Sequence, residues 1–155
     1  MVVEGVSRDI IREIVDAMVV VFNSRKPEFK ERMKSITRGK RKVYRFDVTD
    51  IGLTCDVELT SAGEVVVHWD ALQDVEPDLK ISSETVVFDG VMTQRVSPVT
   101  VFLKRKAKVK GSIGELNKFR PVIPEMSVSY KKARAHIAEK HGLQEALKKL
   151  DEAKI

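Results

Sequence analysis

Cys55, His68, His136 and His141 are the side chains best suited to hold a metal or attack a substrate, and their spacing supports neither role. His136 and His141 lie five apart, so a helix does not stack them as an i, i+4 pair would be stacked. Neither an H-E-x-x-H motif nor a paired-cysteine spacing is present, so no metal site is expected. A single cysteine excludes an internal disulfide framework and a Cys-based zinc cage. Cys55 alternates with polar neighbours, which reads as a small buried hydrophobe on a strand. Asp70, Asp74, Glu76 and Asp78 lack the EF-hand spacing and its central glycine, and read as a solvated acidic loop. Gly111-Ser112-Ile113-Gly114 follows a strand and opens a helix, but it lacks the full spacing of a phosphate-binding loop. Local spacing offers no Ser-His-Asp set and no carboxylate pair, though distant residues can assemble a triad. Trp69, Tyr44 and Tyr130 do not form the aromatic and arginine platform of an RNA-binding sheet. This spacing lowers the expectation of an enzyme without excluding one, and no cofactor is expected.

The chain has 155 residues, 43% hydrophobic and 33% charged, which suits one globular domain with room for a tail. No apolar run approaches the roughly 20 residues needed to span a bilayer, and no signal-like start is present. The expected setting is soluble, reduced and cytoplasmic. The ending Ala153-Lys154-Ile155 is near to, but is not, a peroxisomal Ser-Lys-Leu ending. The net charge of +5 is blocked along the chain. Residues 1–24 carry −2, residues 25–45 carry +8, residues 46–95 carry −9 and residues 96–155 carry +8. Such blocks either neutralise one another in the fold or leave a basic face for an anionic partner.

Those side chains hang on an alternation of helical and strand signals. Ser7 can cap a helix to Asn23, with Asp9 in its first turn and an apolar stripe from Ile10 to Phe22. Ser24 and Pro27 suit the start of a second helix to about Ile36, and Thr37-Arg38-Gly39-Lys40 suits the turn that ends it. Tyr44-Phe46-Val48, Leu53-Cys55-Val57-Leu59 and Val65-Val67-Trp69 alternate with polar residues, the mark of strands with one buried face. Their short connections predict an antiparallel meander. Leu79 to Ser82 offers a fourth strand and Lys106 to Lys110 a fifth. Ser83 can cap a helix to Met92, and Ser97-Pro98 opens another through Leu103. Ile113, Leu116, Phe119 and Val122 suit a helix before Pro124, and the last thirty residues are helical in two pieces that break at His141-Gly142. The predicted class is α+β: a five-stranded, mainly antiparallel sheet covered on one face by helices, with a C-terminal helical extension.

The order of features over residues 79–123 resembles the sterol carrier protein type 2 family of lipid-transfer domains. Leu79-Lys80-Ile81-Ser82-Ser83-Glu84 resembles its strand running into a capped helix, and Ser97-Pro98 to Leu103 the helix that follows. Lys106 to Ser112 resembles its basic strand ending in glycine, here Gly111, and Leu116 to Ile123 its closing helix. With the meander, the resemblance covers about residues 8–123. It divides the chain into a lipid-binding domain over 1–126 and a helical extension over 127–155. Two positions depart from the pattern: Arg105 stands where the family usually has glycine, and Ala107 where it has a large aliphatic residue. The first bears on the local turn and the second on cavity shape.

The resemblance implies an apolar tunnel between sheet and helices that binds a fatty acid, acyl-CoA, sterol or similar lipid without catalysis. The candidate lining residues are Phe46, Val48, Cys55, Val57, Val67 and Trp69 from the sheet. From the helices they are Val87, Phe88, Val91, Met92, Val101, Phe102, Phe119 and Met126. For any one of them ordinary packed core is the favoured reading. Lys104, Arg105, Lys106, Lys108 and Lys110 are candidates to attract an anionic head group or an anionic membrane surface. The alternative is a basic nucleic-acid or protein-binding module with a filled core, using Lys131, Lys132, Arg134, Lys148 and Lys149; nucleic acid is the less favoured partner. A further alternative is an enzyme, or a subunit of one, that acts on acyl or other apolar substrates. Ile137, Leu143, Ala146, Leu147 and Leu150 form an apolar stripe through which the C-terminal helices could pair as a homo-oligomer.

Overall fold

A computed structural model describes residues 3–72 and 74–155. Helices α1 (Arg8–Asn23) and α2 (Pro27–Thr37) precede three strands, β1 (Lys42–Val48), β2 (Leu53–Leu59) and β3 (Val65–Trp69). Then come β4 (Leu79–Ser83), α3 (Thr85–Met92), α4 (Pro98–Leu103) and β5 (Ala107–Lys110). Helices α5 (Ile113–Phe119), α6 (Val122–His141) and α7 (Gln144–Glu152) complete the chain. Among the described residues, no helix is long and apolar enough to cross a membrane.

The sheet order is β3-β2-β1-β4-β5. β1, β2 and β3 form the antiparallel meander, and β4 pairs antiparallel with β5. β4 lies parallel to β1, which makes the sheet mixed. That one parallel pair arises because the chain leaves β3 and returns to the opposite edge of β1 through the 70–78 loop. The register puts Phe46 opposite Cys55 on one side and Ile81 on the other, with Ile81 opposite Val109. One continuous apolar face therefore crosses the sheet, as the alternation in each strand requires.

The opposite face is less wet than its polar residues suggest. Asp56 is fully buried there and accepts from Arg45 Nε at 2.7 Å and Nη2 at 3.0 Å. The acidic loop folds over this pair: Leu72 N–H donates to Asp56, and Arg45 donates to the carbonyls of Leu72 and Val75. Asp78 pins the loop's end by accepting from Val43 N–H at 2.8 Å. The segment read as a solvated loop is in large part a cover for a buried ion pair.

Several caps differ from the sequence reading. Ser7 caps α1 as expected, accepting from Ile10 N–H. Ser24 instead ends α1, its hydroxyl donating to the Val21 carbonyl, and α2 starts directly at Pro27. Ser83 is the last residue of β4, and Asp50 takes the cap position's work by accepting from both Thr85 N–H and Thr85 Oγ1. The expected helix through Val122 stops at Phe119, and Pro124 sits in the first turn of α6, where its missing N–H has no partner to lose.

α6 is the central helix, packing chiefly on α1 and also against α3, α5 and α7. Residue 126 lies inside it, so the chain has no break at the 126/127 boundary. Ser127, Ser129, Ala133 and Ala138 are buried on α6 beside Met126, Tyr130 and Ile137. Small side chains let two helices approach closely, and they carry little hydropathy to announce it. Leu147 and Leu150 of the terminal apolar stripe are likewise buried within the chain.

Candidate functional site

An apolar cavity lies between the β1–β4–β5 part of the sheet and helices α3, α4 and α5. Phe46, Val87, Phe88, Val91, Met92 and Val101 line it, together with Ile81, Ser83, Pro98, Ala107, Val109 and Leu116. Ser83 supplies the one hydroxyl in an otherwise apolar wall. The free volume is about 20 Å³, the room of one small solvent molecule. Sites that hold small organic ligands run to about 300–1,000 Å³. A lipid chain therefore enters only if a wall moves.

The two helical walls are held differently. α3 is clamped from behind by Asp89, which is fully buried. Its carboxylate accepts from Tyr130 Oη at 2.7 Å, from Arg134 Nε at 3.0 Å and Nη2 at 2.9 Å, and from Arg95 Nη2 at 3.1 Å. Asp151 of α7 adds a bond from Arg134 Nη2 at 2.8 Å. Burial and the neighbouring Asp89 charge push the Tyr130 hydroxyl well above its ordinary pKa, so it stays a donor. Burial opposes the charge on Arg134, but Asp89 and Asp151 outweigh it and raise its pKa. This network joins α3 to both C-terminal helices, and no local motif announces it.

α4 is six residues long and packs chiefly on β5, with Val101 its buried side chain. It ends in a Schellman turn: Lys106 N–H donates to the Val101 carbonyl and Arg105 N–H to the Phe102 carbonyl. Arg105 occupies the left-handed position of that turn at φ 56°. A glycine adopts this conformation freely, and an arginine is strained there by roughly 1 kcal/mol. Ala107, the second departure noted in the sequence, lines the cavity directly.

The remaining candidates sit elsewhere. Val48, Cys55 and Val57 are buried in packed core on the same sheet face, outside the cavity. Burial pushes the Cys55 thiol up to about 12, which leaves no thiolate for nucleophilic work near neutral pH. Val67 and Trp69 are half-buried on β3, the strand that meets α1, and Trp69 Nε1 donates to Asp16 with Arg12 over its ring. Phe119 packs between Tyr44 and Phe46, and Met126 is buried on α6. Phe102 is 40% exposed and does not line the cavity. Six further residues line the cavity, among them Ile81, Ser83, Ala107 and Val109, which alternation along β4 and β5 would have flagged.

Lys104, Arg105, Lys106, Lys108 and Lys110 are exposed, and none is ion-paired among the described residues. Lys108 and Lys110 alternate with the cavity residues Ala107 and Val109, so they face away from the cavity. Phe102, Leu103 and Ile113 stand exposed at the two ends of this segment. Among the described residues, no cluster of three or more His, Cys, Asp or Glu side chains could hold a metal ion.

The SCP-2 sterol transfer family matches residues 22–124. The chain belongs to this family. Solved members share its fold at low identity. A UbiJ-SCP2 ubiquinone synthesis protein aligns over 79% of this chain and 93% of its own, with 15% identity and a TM-score of 0.56. Sterol carrier protein 2 from Yarrowia lipolytica, in its apo form, aligns over 74% and 89%, with 16% identity and a TM-score of 0.53. A sec-alkylsulfatase from Pseudomonas sp. matches over 57% of this chain at 14% identity and a TM-score of 0.49; the chain spans only 14% of that enzyme's length. No curated protein matches. The α+β architecture is thus that of an SCP-2 domain, and lipid binding or transfer is the family's general activity. Most of α6, and all of α7, lie beyond the matched residues.

Proposed function

We propose that this SCP-2 domain carries an apolar lipid chain in the cavity between β4–β5 and α3–α5, without covalent chemistry. The observation that carries the reading is the lining itself: eleven apolar side chains and one hydroxyl, beneath a short, lightly held helix. Burying a chain releases about 0.8 kcal/mol per methylene, so a dozen carbons supply on the order of 10 kcal/mol before ordering costs. That is ample to displace α4, whose contacts are few. Ser83 is the group placed to orient a polar head.

The exposed segment from Phe102 to Ile113 supports delivery at an anionic membrane. Its five cations, unpaired among the described residues, would bind anionic lipid surface at about 1 kcal/mol each, and Phe102, Leu103 and Ile113 would enter the interface. Docking would then act on the same helix that closes the cavity. Native mass spectrometry of the freshly purified protein, followed by organic extraction, tests the carrier role. The expected result is a stoichiometric apolar adduct, or one-to-one uptake from a graded series of fatty acids. A clean apo mass with no uptake of any chain length would contradict it.

A further inference from the structure

We propose a second ligand site, for a phosphate monoester carried on an apolar chain, in the cleft between the α1–α2 corner and α6. This cleft shares no residue with the apolar cavity, has a volume of about 690 Å³ and is open to solvent on one side. That volume accommodates a whole small amphiphile. One wall, with Val128, Ser129 and Lys132, lies beyond residue 124, where the family match ends. The cleft is therefore closed on one side by residues past the family match, and on the other by α1 and α2.

Its charge is specific. Arg25, Lys26, Arg32 and Lys132 line it. Against them stand Glu28 in the lining and Glu125 beside it, which leaves two positive charges in excess. A phosphate monoester carries nearly two negative charges at neutral pH. Arg25 and Arg32 are already converged: both donate to Glu125 Oε2, at 3.4 and 3.2 Å, and both guanidinium groups lie against the Phe29 ring, at 3.8 and 5.4 Å. Arg25 Nη1 also donates to the Glu125 carbonyl at 3.3 Å, and the other N–H groups of the two guanidiniums have no described protein acceptor. Lys26 and Lys132 have no ion-pair partner among the described residues. α2 also begins in the cleft, at Pro27 after Lys26, with no side-chain cap on its first amides.

Two observations beyond charge point to a ligand. Ser129 lines the cleft, is fully buried, and its hydroxyl has no hydrogen-bond partner. A buried hydroxyl is rarely left unpaired, so a polar ligand atom would complete it. Beside the cations stand Val21 and the 43% exposed Val128, an apolar strip that a bare inorganic anion would not need.

The test is isothermal titration of the full chain with dodecyl phosphate below its micellar concentration, beside inorganic phosphate. The expected result is one-to-one binding of dodecyl phosphate, with inorganic phosphate at least tenfold weaker. The exposed pair Lys26→Glu and Lys132→Glu, which spares the fold, should weaken it at least tenfold. Ala107→Leu, which fills the apolar cavity, should leave it unchanged. Absence of binding, indifference to the two charge reversals, or loss in Ala107→Leu would overturn the proposal. Equal affinity for inorganic phosphate would overturn the amphiphile assignment. Fatty-acid uptake by the charge-reversed protein reports separately on the carrier reading, so either can fail without the other.

Discussion

The α3 wall and the α4–β5 wall enclose one cavity yet are built on opposite principles. α3 is fixed by a fully buried carboxylate with four hydrogen bonds from a tyrosine and two arginines. α4 is held by one buried valine and ends in a turn strained at Arg105. A carrier needs a surface that keeps its shape and another that yields, and the low-stability element is the one that can open. Residues past the family match sit on the rigid side: Tyr130, Arg134 and Asp151 all lie beyond residue 124.

The contrast breaks most severely at Asp89. Asp89→Ala leaves Arg134 and Tyr130 buried without their acceptor and should cost about 3–5 kcal/mol, read as a lowered urea midpoint. A loss under about 1 kcal/mol would show that α3 is not clamped. Next comes the docking face. Exchanging Lys106, Lys108 and Lys110 for Gln should weaken partition onto anionic vesicles at low salt by about 3 kcal/mol, on the order of a hundredfold, in a sedimentation assay. Partition that is unchanged, or insensitive to salt, would remove the electrostatic role. Ala107→Leu puts three more carbons into a cavity with almost no free space. Fatty-acid binding should fall by tenfold or more, while stability changes by about 1–3 kcal/mol. The smallest effect sharpens the other wall: Arg105→Gly relieves the left-handed strain and should raise stability by about 1 kcal/mol, some 2–4 °C in Tm. A fall in Tm would mean that the arginine side chain contributes more than its backbone costs.

Much of the frame was legible in the residues because periodicity reports burial directly. Ile11, Ile14, Val15, Met18 and Phe22 on α1, and the alternating residues of β1 and β2, occupy the core their spacing requires. The departures at Arg105 and Ala107 also marked real features, a left-handed turn and a cavity wall. The parallel β1–β4 pair was not legible, because hydropathy does not record which edge a returning strand joins. α6 was hidden for a different reason: Ser127, Ser129, Ala133 and Ala138 are core by virtue of being small. Asp89 and Asp56 were invisible because a carboxylate reads as surface until its partners, up to 45 residues away, are known. Of the fourteen candidate lining residues, six line the cavity. Apolar type identifies core, and only geometry separates the side chains that touch one another from those that leave a space.

The most direct measurement is amide hydrogen exchange of the full chain with and without saturating dodecanoic acid. Changed protection is expected across residues 97–113, with α3 and the Asp89 region unaltered. Exchange that changes in α3 while α4 and β5 stay silent, or that changes nowhere, would contradict a cavity opened through its lightly held wall.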